Sequence, residues 1–364
     1  MLDRRVIIVG GDHHNTLGVI WAMREAGVRP YVIILSEEAS PFVPVSRYLA
    51  GSVVIQKMEE LLPAVINLSK DQPQKPVVIC CHDEMAALID QSSETLSEYA
   101  VVPCGTRPCS LLEWMDKEKM GALAVSCGLD VPASEGFPCI VKPKRSLSGS
   151  KDWIRVCRDA DQLNECLDLY GAEKLQVQQF IEKTAEFQLI GCALPDGTVL
   201  IPGVSSILRP CKGSNTAFLK YSGPETQVDA DKVKAFVRAT GYCGLFSVEF
   251  VRGRDGRDYF LEMNFRNDGN AICVTRAGVN LPLIWCLGAS GLDYEAAASA
   301  RVRTVYVMPE FEELTLLSSR SISIGDFLKD LLLRNAGMDF YFWDQCPFWH
   351  QLFRRIKKKI VRKQ

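Results

Sequence analysis

Short apolar runs alternate with amphipathic stretches through the first third of the chain. Residues 6–9, 31–35 and 77–81 are apolar at nearly every position, and 15–26 and 61–68 carry apolar residues at helical spacing. A run that is apolar throughout is buried on both faces, which predicts a parallel, doubly wound sheet with helices on either side. Ligands of such sheets lie beyond the carboxyl ends of the strands. The segments 10–16 and His82-Asp83-Glu84 are therefore candidate cleft segments. Gly10–Gly11 reads either as a tight turn into a helix or as a ligand loop. The dinucleotide pattern G-x-G-x-x-G is absent, because His13, His14 and Asn15 occupy its middle. His13 and His14 read as polar turn residues. Asp83 and Glu84 read either as acids lining a substrate cleft or as solvated acids starting a helix.

From Trp114 the pattern changes. A helix is predicted from Met115 to near Gly128, a strand over 138–143, a polar small-residue loop over 145–151 and a return strand over 153–156. A helix over 159–169 and a strand over 175–181 follow. Strands then dominate, at 187–193, 198–206, 245–251 and 258–264, with helices over 229–240 and 281–287.

Composition adds exclusions more than assignments. The 364 residues are 47% hydrophobic and 24% charged, enough for several cores. A net charge of -2 supplies no field to gather nucleic acid, so no such partner is expected. The 14 cysteines form no C-x-x-C pair and read as small hydrophobes in a reducing compartment; Cys80 and Cys81, adjacent on a strand, should face opposite ways. The opening MLDRRVIIVGG lacks the features of a signal peptide, and no segment reaches the roughly 20 apolar residues of a membrane span, so a cytoplasmic location is expected.

The chemistry concentrates between Gly244 and Arg266, two strands joined by a Gly-Arg-Asp-Gly turn. Glu249 lies near the end of the first strand. Glu262 and Asn264, two apart on the second, share one face of the sheet, and Arg266 continues the alternation. Burying unpaired carboxylates is costly, so two glutamates and an asparagine converging from neighbouring strands call for a cation. An oxygen-only donor set suits Mg²⁺, or Mn²⁺, with nucleotide phosphates completing the shell. The competing reading is a solvated sheet face with an incidental Glu-Arg pair. Lys142, inside an apolar strand, is a second unusual placement.

Glu262-Met-Asn-Phe-Arg266, with Glu249 upstream in Ser-Val-Glu-Phe, resembles the metal site of the ATP-grasp superfamily, which includes biotin carboxylase, carbamoyl-phosphate synthetase and D-alanine–D-alanine ligase. Phe265 stands where the superfamily usually has proline. The resemblance implies an α/β ATP-grasp fold: a Rossmann-like domain over residues 1–113, a small α+β ATP-binding lobe over 114–184 and a large lobe over 185–300. Residues 301–364 form an extension beyond it. By the same resemblance, Glu249 and Glu262 bind Mg²⁺, Asn264 holds a second ion, and Arg266 and Lys142 act on the transferring phosphoryl group. Lys117 and Lys142 contact the nucleotide, and Ser148 and Gly149 belong to the phosphate-covering loop. Gln179, Phe180 and Ile181 hold the adenine, and Glu186 the ribose, although Thr184-Ala185 stands where many relatives have a glycine. Arg209 and Lys212 resemble the acceptor-site loop of D-aspartate-ligase-like members and would clamp a substrate carboxylate.

The implied activity is ATP- and Mg²⁺-dependent coupling of a carboxylate, through an acyl phosphate, to an amine such as an amino acid, with release of ADP and phosphate. Bicarbonate activation by a carboxylase and a non-catalytic ATP-binding module are the alternatives. An NAD-dependent oxidoreductase would rest on Gly10–Gly11 alone and leave the Glu-x-Asn-x-Arg segment unexplained.

Near the C-terminus, 339–350 is strongly aromatic and 351–364 strongly basic. Trp349, Leu352, Phe353, Ile356 and Ile360 fall at helical spacing, which predicts a basic amphipathic helix. Contact of residues 349–362 with the inner membrane surface, docking of a partner, and packing of the apolar face onto the body are the three readings.

Overall fold

The computed structural model of the chain describes residues 2–105, 110–145, 154–211, 216–223, 226 and 228–361, without the side chains of 359–361. The apolar runs near the N-terminus serve two cores at once. In chain order come β1 (Val6–Gly11), α1 (His14–Glu25), β2 (Tyr31–Leu35), β3 (Gly51–Ile55), α2 (Leu61–Ser69), β4 (Val77–Cys80), α3 (Asp83–Gln91) and α4 (Ser93–Ser97). The four strands pair in parallel in the order β3-β2-β1-β4. Val6 and Ile8 join Leu17, Ile20 and Trp21 of α1, while Ile7 and Val9 join residues of α2 and α3 on the other face. Cys80 and Cys81 divide between those two cores in the same way. Gly10 and Gly11 extend β1 rather than forming the turn. A Cβ at Gly10 would meet Thr16 Oγ1 at 2.5 Å and Cys81 Cβ at 2.9 Å, so the close approach of backbone requires glycine there. His13 caps α1 by accepting from the Asn15 amide at 3.2 Å.

Next come α5 (Leu111–Trp114), α6 (Lys117–Ser126), β5 (Cys139–Pro143), β6 (Arg155–Cys157), α7 (Ala160–Tyr170) and β7 (Leu175–Gln179). The strands form a small antiparallel sheet, β6-β5-β7, whose inner face packs on Leu163, Cys166 and Leu167 of α7. The return strand of the hairpin is thus present, one or two residues later than its pattern predicts.

The large sheet is built from β8 (Lys183–Ala193), β9 (Val199–Leu200), β10 (Val204–Pro210), β11 (Thr216–Ser222), α8 (Ala230–Thr240), β12 (Gly244–Gly253) and β13 (Asp258–Asn264). The single strand expected over 198–206 is two, broken at Pro202-Gly203. There a Cβ on Gly203 would strike the Ser222 carbonyl at 2.1 Å. After α9 (Ile272–Ala277), α10 (Leu281–Gly288) and α11 (Glu295–Ala298) come β14 (Val305–Met308), α12 (Glu310–Ser318), α13 (Ile324–Leu333), β15 (Ala336–Gly337) and α14 (Cys346–Val361). The order is β13-β12-β8-β10-β11-β14-β15, with β9 on β8.

α9 and α10 fill the space between the first sheet and the large one, and the Trp285 indole donates to the Val78 carbonyl at 3.0 Å. α6 and α8 cover the large sheet's other face. The last 64 residues are no appendage. β14 pairs with β11, and the following chain returns to the first sheet, where the buried Asp344 carboxylate accepts from the Trp21 indole, Ser46 hydroxyl and Arg47 amide. No described helix is long and apolar enough to cross a membrane.

Candidate functional site

The antiparallel register of β12 and β13 sets Glu249 directly opposite Glu262 and Ser247 opposite Asn264, with a bulge just after the glutamate pair. Val248, Phe250, Phe260 and Met263 point into the core beneath. Like charges directly opposite on a sheet repel, and here the repulsion sits in a partly desolvated cleft. Two lysines lie on the Glu262 side. Lys117, at the first turn of α6, reaches Glu262 Oε2 at 3.1 Å, and Lys142 projects from β5. Burial pushes the Glu249 carboxyl up to about 8, and the charges of Glu262 and Asp268 add to that rise. Burial also acts to raise Glu262, but Lys117 and Lys142 overcome it and hold that carboxyl below its usual range. Lys142 is pushed down to about 8 by burial and by Lys117, against the pull of the two glutamates.

Around this pair the polar groups interlock. Asn264 Nδ2 donates to Glu249 Oε1 at 3.0 Å and to Ser247 Oγ at 3.3 Å. Gln188 donates to the same Glu249 oxygen at 3.2 Å and is held in turn by Asn270 at 2.8 Å. Arg266 forms a hub: it meets Asp83 and Asp268 at 3.1 Å each and the Asn264 amide oxygen at 3.2 Å. Burial works against its charge, but the acids around it raise its pKa further, so it stays cationic. Arg266 follows β13 of the large sheet, and Asp83 opens α3 beyond β4 of the first sheet. What brings them together is a seam in which the Asn267 amide donates to the Cys80 carbonyl at 2.8 Å and Asn15 Nδ2 donates to the Asn267 carbonyl at 2.8 Å.

A cleft of about 500 Å³ joins these groups, in the range of small-molecule sites. Its walls include Lys117, Lys142, Gln179, Phe180, Ile181, Glu186, Glu249, Glu262, Asn264 and Arg266, together with Asp83 and Glu84 from the first turn of α3. The structure thus brings together twelve of the residues singled out by sequence. The Phe180 amide donates to the Pro138 carbonyl at 2.8 Å, so that N–H is committed within the small sheet. Ser148, Gly149 and Lys212 lie outside the described residues. Gln188, Asp268 and Asn270 complete the site without having been anticipated. Gln188 had a signal, since it shares a strand face with Glu186, and the period-2 run from Glu262 to Arg266 continues to Asp268 and Asn270.

Arg209 is a correction. It does not line the cleft; its guanidinium meets Glu313 of α12, at 2.7 Å, and Asp330 of α13. Both carboxylates are nearly inaccessible, so this arginine is their counter-charge and is not available to clamp a substrate. Arg209→Ala is expected to destabilise the protein by about 3 kcal/mol, because it leaves two buried charges uncompensated. Urea denaturation checks this; a change under about 0.5 kcal/mol contradicts the assignment.

Among the described residues no three His, Cys, Asp or Glu side chains form a metal-holding group. Two opposed carboxylates and an amide nevertheless fit a hard divalent cation that draws the rest of its shell from phosphate oxygens. Among the described residues that line the cleft there is no cysteine or methionine, and Cys80 and Cys81, just before His82, are buried in the cores with their thiols pushed up.

No protein-family model matches the chain. Solved structures do resemble it. An N5-carboxyaminoimidazole synthetase from Staphylococcus aureus, in complex with ADP, superposes with a TM-score of 0.66 at 15% identity, over 86% of this chain and 85% of that one. A biotin carboxylase from Campylobacter jejuni, in complex with β,γ-ATP, gives 0.64 at 15% identity over 84% and 75%. An L-amino acid ligase from Bacillus licheniformis gives 0.63 at 15% identity over 83% and 79%. At such identities the likeness is one of fold, and the fold is ATP-grasp.

Proposed function

We propose that this chain is an ATP- and Mg²⁺-dependent ligase that activates a carboxylate as an acyl phosphate and couples it to an amine, an amino acid or a close relative of one. The observation that carries the reading is the Glu249–Glu262 pair, set face to face in a cleft that also holds Lys117, Lys142 and Arg266. Acids that repel in the metal-free protein, ringed by cations, fit a polyphosphate with its divalent ion. Magnesium there would neutralise charge on the β- and γ-phosphates, with Glu249, Glu262 and Asn264 holding it.

In the first step a substrate carboxylate oxygen forms a bond to the γ-phosphorus, and the bond to the β,γ-bridging oxygen breaks, releasing ADP. In the second the amine forms a bond to the acyl carbon, phosphate leaves, and the amine loses its proton. Neither step needs a protein nucleophile. Lys142 and Arg266 would offset charge on the transferring group, and Arg266 is held in place for that by Asp83 and Asp268. The Phe180 carbonyl and Ile181 amide would read the adenine edge, with Gln179 beside them and Glu186 near the ribose. Asp83 and Glu84, at the far wall, would face the amine. In this scheme residues 1–113, 114–184 and 185–300 act as three domains around the cleft, and 301–364 add β14 to the large sheet of the third.

ADP release from purified protein tests the reading, with Mg-ATP across L- and D-amino acids, bicarbonate, and buffer alone. Release stimulated at least about tenfold by one amino acid or a pair, and abolished by EDTA, is expected. Stimulation by bicarbonate instead would make the chain a carboxylase, as solved carboxylases of this fold allow. ATP binding without turnover under every condition would leave a nucleotide-binding module and overturn the ligase reading.

A further inference from the structure

A helix on a protein surface turns its apolar face inward and its polar face to water. α14 obeys this only in its first turn, where Pro347 is buried and Phe348 packs on Phe311 and Phe340. Its body-facing side carries Gln351, 8% exposed, and Arg354, which donates to Asp12 at 2.7 Å and lies over the Phe42 ring. Its outer side carries Trp349, Phe353 and Ile356, which are 46, 66 and 46% exposed. These three fall at i, i+4 and i+7, within one narrow strip. Phe342 and Trp343, just before the helix, are exposed as well. The strip cannot fold back onto the body, because Arg354 to Asp12, Lys358 to Glu38 and His350 to Ser40 fix the opposite face against residues 12 and 38–40.

Charge is segregated in the same place. Seven of the 42 Lys and Arg lie in the last 19 residues, which contain no Asp or Glu, leaving 35 against 44 acids in the rest of the chain. Arg354 and Lys358 are paired with Asp12 and Glu38, and the other five add to the basic charge of this end. We propose that α14 is a docking surface for an anionic lipid bilayer, lying in the interfacial plane with its aromatic strip among the headgroups and its basic flanks on the lipid charges. Aromatic residues with both an apolar body and a polar edge favour that boundary. A second copy of the chain is a poorer occupant, because a two-fold contact along the strip would set two acid-free basic helices against each other. The proposal is independent of the chemistry in the cleft, and none of the strip residues lines that cleft.

Co-sedimentation of the full-length protein tests it, with vesicles of phosphatidylcholine alone and of phosphatidylcholine with a third phosphatidylserine. The protein is expected to bind the anionic vesicles at least about tenfold more tightly than the neutral ones, and to be released by high salt. The triple variant Trp349→Ser, Phe353→Ser, Ile356→Ser, and separately Lys357→Glu, should each lose about tenfold of that binding. Both should keep the thermal midpoint of the wild type, since the altered side chains are exposed. Equal binding to both vesicle types, no binding to either, or undiminished binding of the triple variant overturns the proposal. So does a dimer, seen by light scattering, that the triple variant abolishes: it would make the strip a self-association surface.

Discussion

Glu262→Gln should lower Mg-ATP-dependent ADP release by about a thousandfold or more, with little change in apparent ATP affinity in the absence of a divalent ion. The side chain keeps its size, so the loss isolates its charge. In the metal-free protein that charge is already used: Glu262 is the counter-ion of Lys117, at 3.1 Å, and lies close enough to Lys142 for both lysines to lower its pKa. Neutralising it leaves two buried ammonium groups facing an amide. The variant should therefore also be less stable than the wild type without metal, by about 1–3 kcal/mol. Turnover within about tenfold of wild type would remove Glu262 from any metal site. Lost turnover with unchanged metal-free stability would mean that Lys117 finds another partner.

The part of the site on β12 and β13 was legible because polar residues interrupt apolar strands there. Val248 and Phe250 flank Glu249, and Met263 lies between Glu262 and Asn264, so the three polar residues stand out on the other face. The bulge after the glutamate pair, which turns Phe260 to the core as well, has no such local mark. Lys142 stands out for the same reason in β5. What sequence could not show is pairing across distance. Arg209 beside a glycine-containing turn looks like a ligand clamp until its true partners appear, 104 and 121 residues further on. The Asn15–Asn267 seam that delivers Asp83 to Arg266 joins positions 252 residues apart. No local pattern marks either connection, because hydrogen-bonded amides and ion pairs leave no periodicity. The fold divides along the same line. The doubly wound sheet, the β5–β6 hairpin and β13 follow from local alternation and turns. The edge strand β3, with Gly51 and Ser52 at its start, lacks the apolar run that marks its neighbours. β14 is a strand because β11 pairs with it, and the segment therefore read as an extension rather than as part of the large sheet.

Glu249→Gln should abolish turnover as completely as the substitution across from it, yet change metal-free stability in the opposite direction. Among the described residues no lysine lies at salt-bridge distance from Glu249; burial and the facing Glu262 push its carboxyl from the ordinary 4.5 up to about 8. Between those two values the folded protein holds a proton that the unfolded chain has released. Metal-free stability must then fall as pH rises through that window, and most of the loss is present by pH 8. A glutamine has no proton to give up. Its amide oxygen can still accept from Asn264 and Gln188, as Glu249 Oε1 does, and its nitrogen is left for the Glu262 carboxylate opposite. In EDTA at pH 8 the variant should therefore be more stable than the wild type by about 2–4 kcal/mol, a margin that shrinks toward zero near pH 5. With Mg²⁺ and a non-hydrolysable ATP analogue the order should reverse, because binding to the folded state stabilises only the protein that keeps both carboxylates. Thermal midpoints of the two proteins under the two conditions decide the matter. A variant less stable than wild type in EDTA at pH 8 would mean that the glutamate pair is satisfied as it stands and has no need of a cation. Reversal on adding metal and nucleotide would instead tie the strain between Glu249 and Glu262 to the ion they are placed to hold.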